Sequence, residues 1–134
     1  MGSEQLSLMR VLLVEDSDEM RGLLRYWLQG DGRFEVAGEA ADGAAGVSAA
    51  EELQPDVVVL DLYLPVLDGL AALPRIREVA PKSKVVVISG DGDPGGRSRQ
   101  ALSLGAAAYI EKVEFITTLE AVATACFPPV DNVR

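Results

Sequence analysis

Short runs of β-branched and aliphatic residues alternate along the chain with stretches whose apolar positions recur every three or four residues. The first continuous run covers residues 10–15, and the first helical spacing covers 18–29, with Met20, Leu23, Leu24, Trp27 and Leu28 on one face. The alternation repeats, predicting strands over 34–40, 56–61, 84–89 and 107–111 and helices over 43–53, 67–79, 97–104 and 115–126. Strands one, three and four are apolar throughout their interiors, a pattern that belongs to strands covered on both faces. The expected class is therefore α/β, a five-stranded parallel sheet with five helices. Right-handed crossovers favour the doubly wound order 2-1-3-4-5, in which ligands bind beyond the carboxyl ends of the strands.

Two stretches qualify this picture. Pro74 falls within the third helix and predicts a late start or a kink there. Gly92, Asp93, Pro94, Gly95 and Gly96 predict a long, loose connection before a weak fourth helix. Residues 1–8 read as an N-terminal extension, 9–127 as a single domain, and 128–134, opening on Pro128 and Pro129, as a tail or truncated linker.

Composition narrows the chemistry. With 134 residues, 49% of them hydrophobic, the chain is sized for one core. No apolar run approaches the roughly 20 residues that cross a bilayer, and the first residues lack the basic start and apolar centre of a signal peptide. One cysteine, Cys126, allows no internal disulfide, and the chain has no histidine, which argues against zinc and removes the Ser-His and Cys-His nucleophile pairs. These features suit a cytoplasmic protein. The net charge of −9 repels polyanions, so neither nucleic acid nor an anionic membrane is an expected partner of this domain. Carboxylates, lysine, hydroxyls and a hard metal ion remain as agents.

Those groups sit at strand ends. Glu15 and Asp16 follow the first strand, Asp61 ends the third, Ser89 ends the fourth and Lys112 follows the fifth. Taken singly, Asp16 to Asp18 could be a helix cap, Asp61 a polar strand terminus, Ser89 a turn hydroxyl and Lys112 a solvated lysine. The sheet order, however, would bring all of them to one rim. Clustered carboxylates and a carbonyl suit Mg²⁺, which prefers oxygen ligands in near-octahedral geometry. Asp16 and Asp61 are the expected direct ligands, Glu15 acts directly or through water, and Tyr63 supplies its carbonyl. A carboxylate such as that of Asp61 can attack phosphorus in line if the charge on the transferring oxygens is neutralised. Mg²⁺, Lys112 and Ser89 would share that work.

With these residues in view, the chain resembles the response-regulator receiver family, of flavodoxin-like fold, over residues 10–127. The resemblance rests on Val11-Leu12-Leu13-Val14-Glu15-Asp16-Ser17, on Asp56-Val57-Val58-Val59-Leu60-Asp61 with the following Leu62-Tyr63-Leu64-Pro65-Val66-Leu67-Asp68-Gly69, on Val86-Val87-Ile88-Ser89-Gly90, and on Gly105-Ala106-Ala107-Ala108-Tyr109-Ile110-Glu111-Lys112. It implies that Asp61 is the phosphoacceptor, Glu15 and Asp16 the acidic pair, Ser89 the switch hydroxyl, Tyr109 the switch aromatic and Lys112 the phosphoryl-binding cation. It also implies a phosphohistidine donor on a sensor histidine kinase or phosphotransfer protein. Phosphorylation would change the surface of helix 4, strand 5 and helix 5, which partners or a second copy, in a homodimer, could read.

Two departures from the family pattern stand out. Val113 replaces a proline often found after the lysine, so a trans path or a strained peptide is expected there. Tyr63 is bulky two positions after Asp61 and is expected to shield an acyl phosphate from water. The motif style is similar to that of receivers joined to helix-turn-helix output domains.

Other classes fit less well. A haloacid-type hydrolase needs a second aspartate where Tyr63 stands, and a flavodoxin-type electron carrier needs a phosphate loop where Glu15, Asp16 and Asp18 would repel phosphate. An adaptor that binds partners without phosphorylation remains the alternative. The protein is otherwise expected not to be an enzyme, catalysing only its own phosphorylation and dephosphorylation.

Overall fold

A computed structural model describes residues 8–90 and 94–112 together with Ala121, Thr124 and Ala125. Its elements are β1 (Met9–Val14), α1 (Asp18–Asp31), β2 (Phe34–Ala40), α2 (Gly43–Leu53), β3 (Val57–Asp61), α3 (Gly69–Val79), β4 (Lys84–Ser89), a 3-10 turn (Pro94–Gly96), α4 (Arg97–Ser103) and β5 (Ala108–Glu111). The five strands form one sheet in the order β2-β1-β3-β4-β5, and every neighbouring pair is parallel. The expected topology is observed. Four α-helices lie among the described residues; the fifth, expected over 115–126, falls outside them apart from Ala121, Thr124 and Ala125, of which Ala125 packs against the sheet.

Alternation along the central strands sorts the core into two layers. Leu12, Val14, Val58, Leu60, Val85 and Val87 face α2, α3 and α4, meeting Ala50, Ala72, Leu73, Ile76 and Ala101. Val11, Leu13, Val57, Val59, Val86 and Ile88 face the opposite way and meet Leu24 and Leu28 of α1. Both layers exclude water almost completely, and each fully buried Leu or Ile contributes about 1.5–3 kcal/mol relative to exposure.

Helix starts follow from capping. Ser17, Asp42 and Asp68 precede α1, α2 and α3, and each side chain accepts a backbone N–H from its helix's first turn. The third helix begins at Gly69, two residues later than the periodicity predicts, because Asp68 caps Ala71 from 2.9 Å. Ahead of it Leu67 N–H donates to the Pro65 carbonyl at 2.7 Å across Val66, whose φ of 70° is unusual for a β-branched residue. Pro74 stands inside α3 on its exposed side. The fourth helix has only seven residues and no side-chain cap, as its glycine-rich approach predicts. Among the described residues, no helix is long and apolar enough to cross a membrane.

Candidate functional site

Parallel register carries the ends of the inner strands to a common rim. Val14 pairs with Leu60, Asp61 with Ile88, and Ser89 with Glu111, so the residues at or just beyond these ends become neighbours across strands. Glu15, Asp61 and Ser89 are buried at that rim, whereas Asp16 is exposed. Carboxylate oxygens of Glu15, Asp16 and Asp61 lie within 4.8 Å of one another. Lys112 reaches the rim from the end of β5: its Nζ lies 2.9 Å from Glu15 Oε1 and 3.0 Å from Asp61 Oδ2. Its own amide donates to the Ser89 carbonyl at 2.8 Å, which extends the β4–β5 ladder to the site. Burial disfavours the Lys112 ammonium, but its hydrogen bond to Glu15 and the charge of Asp61 outweigh that effect and hold it above its ordinary value of 10.5.

Backbone amides take the other carboxylate oxygens. Ser17 N–H donates to Glu15 Oε2 at 3.0 Å, and Tyr63 N–H donates to Asp61 Oδ1 at 3.0 Å. The Asp61 segment is set from below by α3, because Gly69 N–H donates to the Leu62 carbonyl at 2.7 Å and a side chain at Gly69 would run into the Asp61 carbonyl and Leu62. The observed backbone contact of Tyr63 with Asp61 is thus through its amide. The Tyr63 side chain is exposed, with the Arg97 guanidinium 4.7 Å from its ring centroid. Tyr109 is partly buried on β5 opposite Val87 and packs against the α2–α3–α4 side of the core.

Ser89 is the anomaly. Its Oγ is buried and, among the described residues, has no hydrogen-bond partner. A buried hydroxyl without a partner costs about 1–3 kcal/mol, and at the rim it is free to meet an acceptor that arrives from outside. The acid cluster also fits a cation. Mg²⁺ binds oxygens at about 2.0–2.1 Å, which puts its ligands roughly 2.9 Å apart when adjacent and roughly 4.2 Å apart when opposite, and the three carboxylates, within 4.8 Å of one another, are near enough to close on such an ion. The donor set is all oxygen, as hard divalent ions require.

The structure brings Glu15, Asp16, Asp61 and Lys112 together, with Ser89 at the end of the adjoining strand and Tyr63 on the adjoining loop. Sequence reasoning did not find Arg21, whose Nη1 donates to the Glu15 carbonyl at 2.7 Å. Its three-residue spacing from Asp18 was a visible signal for their ion pair, but its other partners come from separate segments. Arg97 was likewise missed, since nothing local links it to Tyr63. The peptide between Lys112 and Val113 lies outside the described residues, as do Cys126, residues 1–7 and the tail over 128–134.

A doubly wound α/β module with an acid cluster, a lysine and a hydroxyl on its carboxyl rim is what the fold and site define. Comparison with known proteins supplies the family: the response regulator receiver domain matches residues 11–123, and the chain belongs to that family. It is therefore a receiver of the two-component signalling class. It is similar to the protein-glutamate methylesterase/protein-glutamine glutaminase of Maricaulis maris, at 38% identity over 96% of this chain and 35% of that protein. A second, from Azospirillum brasilense, is 42% identical over 77% of this chain and 26% of its own length. Among solved structures, the response regulator domain of Thermotoga maritima CheB superposes with a TM-score of 0.83 at 31% identity, covering 90% of this chain and 94% of that one. The receiver domain of AraT, a response regulator from Geobacillus stearothermophilus, gives a TM-score of 0.77 at 28% identity, covering 90% and 94%.

These relatives correct one expectation. The sequence suggested a protein that is not an enzyme, yet the curated relatives are enzymes by name, and the chain spans only about a third of their length or less. A receiver has its own core and its own rim, so its residues are set by those and not by the catalytic module that accompanies it in longer proteins.

Proposed function

We propose that the domain takes a phosphoryl group onto Asp61 from a phosphohistidine on a sensor histidine kinase or phosphotransfer protein. The observation that carries this reading is the buried Ser89 Oγ, without a partner among the described residues, on the strand next to an aspartate already held by a lysine. In the transfer, an Asp61 oxygen bonds to phosphorus as the donor's P–N bond breaks. The electron pair stays on the donor imidazole, and its proton comes from solvent because this chain has no histidine to supply it. Mg²⁺, when bound by Glu15, Asp16, Asp61 and the Tyr63 carbonyl, neutralises charge on the phosphoryl oxygens. Lys112 holds Asp61 in place beforehand and moves toward the new oxygens afterwards, while Ser89 gains the acceptor it lacks.

The added charge of about −1.5 to −2 then acts on the face built by α4, β5 and the helix expected over 115–126. Two observations support α4 as the element that responds: it is uncapped, and Ala101 is its one buried residue. Tyr109, on the adjoining strand, turns inward as Ser89 moves. Residues 9–127 form this receiver, with 1–8 as an extension and 128–134 as a tail or linker. Likeness to the methylesterase/glutaminase relatives supports an output of that class, controlled by the phosphorylation state of Asp61.

Acetyl phosphate with Mg²⁺, followed by intact mass, tests the reading. One phosphoryl group should be gained, and none in Asp61→Asn or with excess EDTA. An unchanged mass for the unaltered chain, under conditions where it is folded, would favour an adaptor that works without phosphorylation.

A further inference from the structure

Arg21 occupies a place that the proposed chemistry leaves unexplained. Its side chain is mostly buried, at 17% exposure, and it spends its donors in three directions. Nη1 donates to the Glu15 carbonyl at 2.7 Å, Nε to Glu39 Oε1 at 2.9 Å and Nη2 to Asp18 Oδ1 at 2.7 Å. Arg25 grips the same Glu39 through both carboxylate oxygens, at 2.7 and 2.9 Å. The sheet itself holds only half of Glu15: its N–H donates to the Ala40 carbonyl at 3.0 Å, and β1 has already ended at Val14. The carbonyl leaves the ladder, and the guanidinium receives it.

That carbonyl belongs to the same planar unit as the Asp16 amide. Fixing it sets the Asp16 N–Cα bond, the base from which the Asp16 side chain departs. The three acids differ in how they are aimed. Glu15 and Asp61 each have both oxygens held, by an amide on one side and Lys112 on the other. Asp16 is exposed, and among the described residues nothing holds its carboxylate. Its aim therefore depends on its backbone. The guanidinium, meanwhile, is paired with Asp18 and Glu39, so its charge is matched by two carboxylates outside the cluster and does not compete with a cation for Asp16.

We propose that Arg21 is a positioning residue of the divalent-cation site, holding the Glu15–Asp16 peptide so that the Asp16 carboxylate converges with those of Glu15 and Asp61, with Glu39 as the anchor that holds Arg21 in place. The inference rests on the reading of the acid cluster as a Mg²⁺ site. Groups that orient a ligand without touching the metal typically change affinity by about 10–100-fold when removed.

The test is Mg²⁺ titration of the full chain by calorimetry, with no phosphodonor present. Arg21→Met should weaken Mg²⁺ binding about tenfold or more, Glu39→Gln should weaken it less, and Arg21→Lys, which keeps one cationic donor for the carbonyl, should fall between Arg21→Met and the unaltered chain. Leu28→Ala serves as the comparison: it removes packing from the α1 layer and should lower thermal stability while leaving the Mg²⁺ constant in place. A folded Arg21→Met with unchanged Mg²⁺ affinity overturns the inference and leaves the phosphoacceptor reading standing. If Arg21→Met does not fold, an Arg21→Lys chain that binds Mg²⁺ as tightly as the unaltered one overturns it equally. Absence of Mg²⁺ binding by the unaltered chain overturns both.

Discussion

Replacing Lys112 with methionine should destabilise the protein strongly in the absence of divalent ions, and Mg²⁺ should restore much of the loss. The ammonium bridges two buried carboxylates at 2.9 and 3.0 Å. At an effective dielectric near 20, each contact is worth about 5–6 kcal/mol before desolvation is charged against it. Removal leaves Glu15 and Asp61 facing one another without their shared cation, and breaking a buried pair in this way costs about 3–5 kcal/mol. Taking the lower end, the melting temperature should fall by roughly 10 °C for a domain of this size. Because a divalent ion supplies the missing positive charge, 10 mM Mg²⁺ in the assay should raise the melting temperature of Lys112→Met more than that of the unaltered chain. Alkali gives a second reading. With its folded value raised above 10.5, Lys112 contributes its full stabilisation below pH 10.5 and loses it as pH rises through the folded value. The gap between the two proteins should then narrow above that point. Differential scanning calorimetry at neutral and alkaline pH decides the matter; a loss under about 1 kcal/mol, or one of equal size with and without Mg²⁺, would refute the electrostatic account.

Three further outcomes follow from the rim. Ser89→Ala removes a buried hydroxyl that has no partner among the described residues, so the unphosphorylated chain should gain about 1 kcal/mol in urea unfolding while its phosphorylation by acetyl phosphate slows; a less stable variant would count against an unsatisfied Ser89. Gly69→Ala drives a methyl group toward the Asp61 carbonyl and Leu62 and should cost about 1–3 kcal/mol, with slower phosphorylation of whatever folds, and an unaffected variant would show that the loop can yield. Tyr63→Ala removes a bulky side chain two positions after Asp61 and the ring that Arg97 contacts; the phosphoryl group should be lost faster than from the unaltered chain, and equal or slower decay of radiolabelled protein would rule out shielding.

Much of the candidate site was legible because receiver-type chemistry sits at strand ends, and strand ends can be read locally. Ile88-Ser89 and Leu60-Asp61 each mark the point where an apolar run meets a polar side chain. The offset at α3 shows the limit of such reading. Leu67 fits the helical apolar spacing, yet it belongs to the loop because Asp68 caps Ala71 and Gly69 lies against the Asp61 strand. The output was illegible for another reason, since no residue of the receiver core reports on a module folded separately from it.

From the amino-acid order alone came the α/β class, the strand order and the identity of the rim residues, because apolar periodicity and chain connectivity restrict a five-strand sheet to few topologies. Tertiary structure alone decided that Arg21 meets Glu39 and the Glu15 carbonyl, that Arg97 covers Tyr63, and that Ser89 is left without an acceptor among the described residues. Each of these depends on segments distant in the chain arriving within about 3–5 Å of one another, and a side chain's partners, or its lack of them, are properties of that packed surrounding.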